Sequence, residues 1–208
     1  MNRYVTEAVG TFFLVLTIGC TVVPGSGGVI APLAIGVALA AIVYAGGPTS
    51  GAHYNPAVTV AIWLRGRFAA GDVVPYWIAQ ITGAALASVV VGYLRGLPSR
   101  APAKPDIGPW LTAEFLFTFA LVWVILSVAT SKRTAGNAYY GLAIGFIVMA
   151  GAFAVGDITS GAFNPAVAVG LAMMGLAAWS SLWIYLVATL LAALAGAAVF
   201  RCLHPDDP

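Results

Sequence analysis

Two Asn-Pro pairs interrupt stretches that are otherwise small and apolar, in "TSGAHYNPAVTV" (49–60) and "TSGAFNPAVAVG" (159–170). An Asn side chain can cap the first N–H groups of a helix, and Pro suits the first helical turn because its missing N–H would have no partner there. Each motif therefore predicts a helix that begins at Asn55 or at Asn164. The two amide groups could also offer hydrogen-bond donors to a passing solute.

Two carboxylates, Glu7 and Glu114, stand early in long apolar stretches. An ionisable side chain inside a membrane span is costly, so its presence indicates a role. We expect each to accept hydrogen bonds from backbone N–H groups of the segment before an Asn-Pro motif, since those groups would otherwise have no partner. For Glu7 a second interpretation stays open, in which the side chain extends to water at the membrane interface.

The elements that position these residues belong in a bilayer. The chain is 61% hydrophobic and only 8% charged, with a mean hydropathy of +0.97, whereas a soluble domain carries roughly 25% charged residues. The net charge of +2 is too small to favour nucleic acid, and Cys20 and Cys202 have neither disulfide nor metal-ligand spacing. No metal or cofactor is expected. Six stretches are long enough to span a membrane: 4–23, 30–47, 73–95, 108–130, 138–156 and 179–201.

The chain repeats itself at an offset of 109, because residues 33–60 align without a gap on 142–169, with "LAIG" and "NPAV" in register. Glu7 and Glu114 match at an offset of 107. Each repeat holds three spans, an odd number, so the halves must enter the membrane from opposite sides. We predict a single channel domain over 1–208, made of a first repeat (1–97) and a second repeat (108–203).

The apolar stretches after the motifs, 55–64 and 164–177, are too short to span the bilayer. We predict two re-entrant half-helices whose N-termini meet near the midplane and line a pore, since irregular backbone at that depth must be buried or face a watery cavity. The predicted fold is an all-α membrane protein with six transmembrane helices, two half-helices and an inverted 3+3 repeat. The positive ends of both half-helix dipoles would repel cations.

The Lys and Arg residues predict the orientation, because cytoplasmic loops are enriched in them. A cytoplasmic N-terminus puts six of the nine on the cytoplasmic side, so we predict that both termini are cytoplasmic. The six are Arg3, Arg65, Arg67, Lys132, Arg133 and Arg201. The other three are Arg95, Arg100 and Lys104.

The two Asn-Pro-Ala motifs, the inverted repeat and the paired glutamates resemble the aquaporin, or major intrinsic protein, family over residues 4 to 201. The resemblance implies six tilted spans, one pore per subunit and a homotetramer in a lipid bilayer, the plasma (inner) membrane. It also implies passive conduction of water or small neutral solutes. The central constriction would be formed by Asn55, Pro56, Ala57, Asn164, Pro165 and Ala166.

The family's outer selectivity filter falls on Ile35, Ala152, Gly161 and Val167. The last position is nearly always Arg in the family, so we expect a filter that is unusually wide, apolar and free of arginine. A one-residue shift in register would replace Ala152 by Phe153. His53 matches a histidine that the family places near the pore, although it could instead only satisfy backbone groups of its loop.

We predict a passive channel; the alternative is a secondary transporter with broken helices that moves a small polar solute. Ion-coupled transporters usually need an acidic relay inside the membrane, and Asp157 is the one acid left once Glu7 and Glu114 support the loops. An enzyme is not expected, because no catalytic cluster is evident. The solute stays open among water, glycerol, urea, ammonia, a metalloid acid and a gas, since an apolar filter could admit larger solutes or dewet.

Overall fold

The computed structural model describes residues 1–23, 28–99, 101–102 and 104–207; Arg100, used above for the orientation, lies outside them. Among these described residues, six long helices are apolar enough to cross a membrane, as predicted. A π-helical turn (Leu126–Thr130) extends the fourth of them, and 3-10 turns occur at Lys132–Thr134 and Trp179–Ser181. The α-helices are α1 (Asn2–Val22), α2 (Ile30–Ser50), α3 (Pro56–Leu64), α4 (Ala70–Arg95), α5 (Ile107–Ile125), α6 (Tyr140–Thr159), α7 (Pro165–Met173) and α8 (Leu182–Leu203).

The short helices α3 and α7 begin one residue after the Asn of each motif, as the sequence predicts. The second half-helix ends at Met173, however, and not at 177. Gly175 adopts a positive φ of 71°, and the N–H of Leu176 bonds back to the carbonyl of Leu171, so the chain turns away. The apolar composition of 174–177 hid this turn.

The helices pack as two matching halves, with α1 against α2 and α4 in the first half and α5 against α6 and α8 in the second. Close contacts depend on glycine: a Cβ on Gly83 would collide with the carbonyl oxygen of Ala8, and one on Gly196 would lie 2.5 Å from Val122 Cγ1. Helices α2 and α6 join the halves, and each half-helix packs against both α4 and α8. The halves are therefore interlocked around the two short helices.

One end of the bundle, here called the N-terminal face, is defined by polar contacts between helix ends. Arg3 donates to Asp72 (2.7 Å), which joins the starts of α1 and α4. Asp207, beyond α8, accepts from Arg65 after α3 and from Ser131 after α5. The end of the bundle where α1 and α6 finish is called the opposite face.

Candidate pore

The first re-entrant loop is held by a buried carboxylate. Glu7 is 0% exposed; its Oε1 accepts from the Ser50 hydroxyl (2.7 Å) and the N–H of His53 (2.9 Å). Its Oε2 accepts from the N–H of Tyr54 (2.7 Å) and the side-chain amide of Gln80 (2.8 Å). The alternative in which Glu7 extends to the membrane interface is therefore wrong.

The second loop repeats this arrangement with one donor fewer. Glu114 is also fully buried; its Oε1 accepts from the Thr159 hydroxyl (2.7 Å) and the N–H of Ala162 (3.0 Å). Its Oε2 accepts from the N–H of Phe163 (2.7 Å). Both glutamates thus satisfy loop N–H groups that would otherwise be buried without partners.

Four further residues that support the loops were not predicted from the sequence to do so, although they follow the repeat. Tyr76 donates to the Ser50 carbonyl and Tyr185 to the Thr159 carbonyl, each at 2.7 Å. Ser50 matches Thr159, and Tyr76 matches Tyr185, at the same offset of 109 as the motifs. Extending the alignment to polar residues outside the motifs would have found them.

The two carboxylates also stabilise backbone conformations that are unfavourable for residues other than glycine. Ala52 and Tyr54 in the first loop, and Ser160 and Phe163 in the second, adopt positive φ angles between 48° and 66°. Such conformations in residues other than glycine cost of order 1–3 kcal/mol each and persist only where the surroundings enforce them. The hydrogen bonds to Glu7 and Glu114 provide that enforcement at both loops.

The two Asn residues cap their own helices and also bond to the opposite loop. Asn55 Oδ1 accepts from the N–H of Ala57 (2.9 Å), and Asn164 Oδ1 accepts from the N–H of Ala166 (2.9 Å). Asn55 Nδ2 donates to the Phe163 carbonyl (2.9 Å), and Asn164 Nδ2 donates to the Tyr54 carbonyl (2.8 Å). The half-helices therefore meet N-terminus to N-terminus, and each amide retains one N–H for another acceptor.

Both Asn residues face a cavity of about 490 Å³ that extends toward the opposite face. The four predicted filter residues all border it, and so does Phe153. Within the described part of the chain, the lining of this cavity includes Asp157, near the end at the opposite face, and neither Lys nor Arg. The remaining wall is mostly aliphatic, so the polar groups concentrate at the Asn residues and the loops.

A second cavity, of about 630 Å³, opens on the N-terminal face and is bordered by Arg67 and Lys132. It shares Ala52 and His53 with the first cavity. The N–H of His53 donates to Glu7, while its ring Nδ1 lies 3.1 Å from Thr59 Oγ1. The ring of His53 thus contacts a side-chain hydroxyl and borders both cavities, and its role near the pore stays a prediction. The two cavities therefore meet at these shared residues, one on the side of each face of the bundle.

Two facing half-helices inside a bundle of membrane-spanning helices, with a cavity on either side of them, are the architecture of a membrane channel. The family model described as "Major intrinsic protein" matches residues 1–200. The chain belongs to the major intrinsic protein family.

Its similarity to known members covers nearly the whole chain. It is 37% identical to "Glycerol uptake facilitator protein-like 6" of Lactiplantibacillus plantarum over 218 residues, covering 100% of both chains. It is 34% identical to "Aquaporin AqpM" of Methanothermobacter thermautotrophicus over 243 residues, covering 99% of this chain and 98% of that protein. The aquaglyceroporin structure from Plasmodium falciparum shares the fold, with a TM-score of 0.76, 21% identity and coverage of 98% and 94%.

These findings establish a passive channel for water or small solutes in a lipid bilayer, and they do not favour the transporter alternative. The relatives are named as channels or facilitators and not as enzymes.

Proposed function

We propose that each subunit passes water and small neutral solutes through a wide pore whose filter is apolar and free of arginine. One observation carries this proposal: Ile35, Ala152, Gly161 and Val167 border a single cavity, and none of them has a charged or aromatic side chain. An arginine would bring a full charge and five donors into that space. Without an arginine side chain, the space beside these four residues leaves room for a solute larger than water.

The polar groups of the path favour a solute with both C–H surface and hydroxyl or amide groups. Its apolar part can lie against the filter, while its polar groups meet the free N–H of Asn55 and of Asn164 at the midplane. Water alone would lose hydrogen bonds along such a wall. We therefore propose glycerol- or urea-sized solutes as the preferred cargo, which agrees with the name of the facilitator relative.

At the midplane, the N-termini of α3 and α7 oppose cations, each with about half an elementary charge. We assign the central constriction to the two Asn-Pro-Ala motifs and loop support to Glu7, Glu114 and His53. We assign no enzymatic activity and no cofactor to the chain.

Val167→Arg tests the filter assignment. In proteoliposomes measured by stopped flow, this variant is expected to cut glycerol and urea flux by roughly tenfold or more while water flux falls much less, because Arg fills the space and adds charge. Val167→Leu is the control, since it adds volume without charge. A normally assembled Val167→Arg protein whose solute-to-water ratio is no lower than wild type would show that residue 167 does not face the pore.

We also propose a homotetramer in the plasma (inner) membrane with both termini cytoplasmic. The resemblance implies this assembly, and the six basic residues counted above favour this orientation. Native mass spectrometry measures the subunit number. Cys202, exposed at the end of α8, is expected to react with an impermeant maleimide only after the cells are permeabilised. Cys202→Ser is the control for labelling at the half-buried Cys20.

A further inference from the structure

The two mouths of the path carry opposite charge. Asp157 borders the mouth at the opposite face, where the described lining holds neither Lys nor Arg. Arg67 and Lys132 border the mouth at the N-terminal face, where the described lining includes neither Asp nor Glu. The positive charge that is missing from the filter is therefore present at the other end of the path.

Asp207 organises the basic mouth. Its Oδ1 accepts from Arg65 Nη2 at 2.7 Å and from Arg67 Nη2 at 3.2 Å. Its Oδ2 accepts from the Ser131 hydroxyl (2.9 Å) and the N–H of Lys132 (2.8 Å). One carboxylate thus joins the segment after α3 to the segment after α5 and fixes the backbone from which the Lys132 side chain extends.

Asp207 forms its shortest ion pair with the buried Arg65. The two cations that border the cavity, Arg67 and Lys132, are therefore in excess over its single negative charge. The Arg65 side chain is 0% exposed and lies over the Phe200 ring at 4.7 Å. Burial alone would raise the pKa of Asp207, but the N–H of Lys132, the Ser131 hydroxyl and Arg65 outweigh it and hold that pKa well below its ordinary value. Among the described residues that border this cavity, the charged side chains are Arg67 and Lys132, and both are positive.

We infer that Arg67 and Lys132 form a second cation barrier at the N-terminal face, positioned by Asp207, which compensates for the arginine-free filter. This inference rests on the proposed function, because it concerns the same pore. The barrier acts only on charge, so neutral solutes pass it. Since Asp157 attracts cations at the other mouth, any residual cation current should be larger in the direction from the opposite face.

The expected size follows from Coulomb's law. One elementary charge about 7 Å away in water changes the local cation concentration about threefold, so two charges change it roughly five- to tenfold before screening. Screening shortens the range to about 3 Å at 1 M salt. A barrier of this kind therefore weakens as salt is added, which a purely steric barrier does not.

The test is the double variant Arg67→Gln/Lys132→Gln in planar bilayers, with potassium conductance measured at about 20 mM and about 500 mM salt. We expect roughly a fivefold rise over wild type at low salt and less than about twofold at high salt. Arg133→Gln/Arg201→Gln is the matched control, because it removes the same charge from exposed residues on the same face that do not border the cavity. An equal rise in the control, or no rise in the double variant, would overturn the inference.

Two further measurements keep the outcome unambiguous. Lys132→Gln alone retains the backbone N–H that binds Asp207, and it should give part of the same salt-dependent rise without disturbing the contact. Glycerol and water flux are recorded on the same preparations. Wild type that passes neither above empty liposomes would contradict the proposed function, whereas normal flux with unchanged conductance in the variants would contradict this inference alone.

Discussion

The two re-entrant loops share one framework but differ in the side chains around it. In both, a buried glutamate holds two loop N–H groups, a hydroxyl binds the glutamate, and a tyrosine binds the carbonyl before the loop. The first loop adds His53, Thr59 and Gln80, where the offset of 109 puts Ala162, Ala168 and Thr189 in the second. Gln80 donates to both Glu7 and Thr59, whereas Thr189 bonds within its own helix.

This difference separates two requirements. The duplicated contacts satisfy buried backbone groups, a need that both loops share because both carry unusual backbone at membrane depth. The added polar residues occur only on the side of the N-terminal face, where His53 borders both cavities. We infer that the shared contacts maintain the fold and that the unshared ones adjust the environment of the path.

Removing the carboxylates should have the largest effect. Glu7→Ala leaves four buried donors without this acceptor, and Glu114→Ala leaves three. Each unpaired donor costs about 1–3 kcal/mol, so we expect a loss of at least about 3 kcal/mol in either variant and little folded protein. The matched controls are Val9→Ala and Leu116→Ala, exposed apolar residues on the same two helices. Melting curves equal to those of the controls would exclude the supporting role.

Asn55→Asp and Asn164→Asp should both open the midplane to cations. Each removes the N–H that binds the opposite loop and puts a carboxylate beside the two positive helix ends. We expect a rise of roughly tenfold or more in cation or proton conductance, equal for the two variants because the barrier is shared. Asn2→Asp, at the start of α1, adds the same charge away from the pore. Unchanged conductance in planar bilayers would mean that the motifs do not line the barrier.

Glutamine variants should distinguish the two loops. Each oxygen of Glu7 accepts two hydrogen bonds. The NH2 group of Glu7→Gln cannot accept a hydrogen bond, so whichever oxygen it replaces, two hydrogen bonds are lost. In Glu114→Gln the NH2 group can replace the oxygen that accepts one hydrogen bond, from the N–H of Phe163, so only that hydrogen bond is lost. We expect a loss of about 1 kcal/mol for Glu114→Gln and more for Glu7→Gln, measured by thermal unfolding in detergent. The reverse order would show that the extra donor of the first loop does not matter.

The tyrosines should have the smallest effect and the same one in both halves. Tyr76→Phe and Tyr185→Phe each remove one hydrogen bond of 2.7 Å to a carbonyl. We expect a loss of about 1 kcal/mol for either. Tyr93→Phe is the control, because its side chain is exposed on α4. A difference of more than about 1 kcal/mol between the two variants would mean that the halves are not equivalent at this contact.

The fold could be predicted from the sequence because its signals are local and duplicated. Apolar length gives the spans, an odd number of spans in each repeat gives the inversion, and Asn-Pro gives the half-helix starts. The buried donors of the loops also explain why a carboxylate in each half should lie against them, and the structure places Glu7 and Glu114 there.

The remaining contacts depend on three-dimensional geometry, which the spacing of residues along the sequence does not determine. The bonds between Asn55 and the Phe163 carbonyl, and between Asn164 and the Tyr54 carbonyl, require a particular rotation of two half-helices. Asp207 follows the last helix, and nothing in its local sequence indicates that it binds Arg65, 142 residues away. The filter roles of Ile35, Ala152, Gly161 and Val167 stay predictions until flux is measured.

The reciprocal Asn bonds also have a consequence for synthesis. Asn55 and Asn164 bind carbonyls that lie 108 and 110 residues away along the chain. When the ribosome has finished the first repeat, Asn55 Oδ1 can already cap its own half-helix, but Asn55 Nδ2 still lacks the Phe163 carbonyl that it binds in the complete chain. Its completion must await the emergence of Phe163. We therefore expect the two halves to complete their folding together, late in translation, and neither half expressed alone to reach its native conformation.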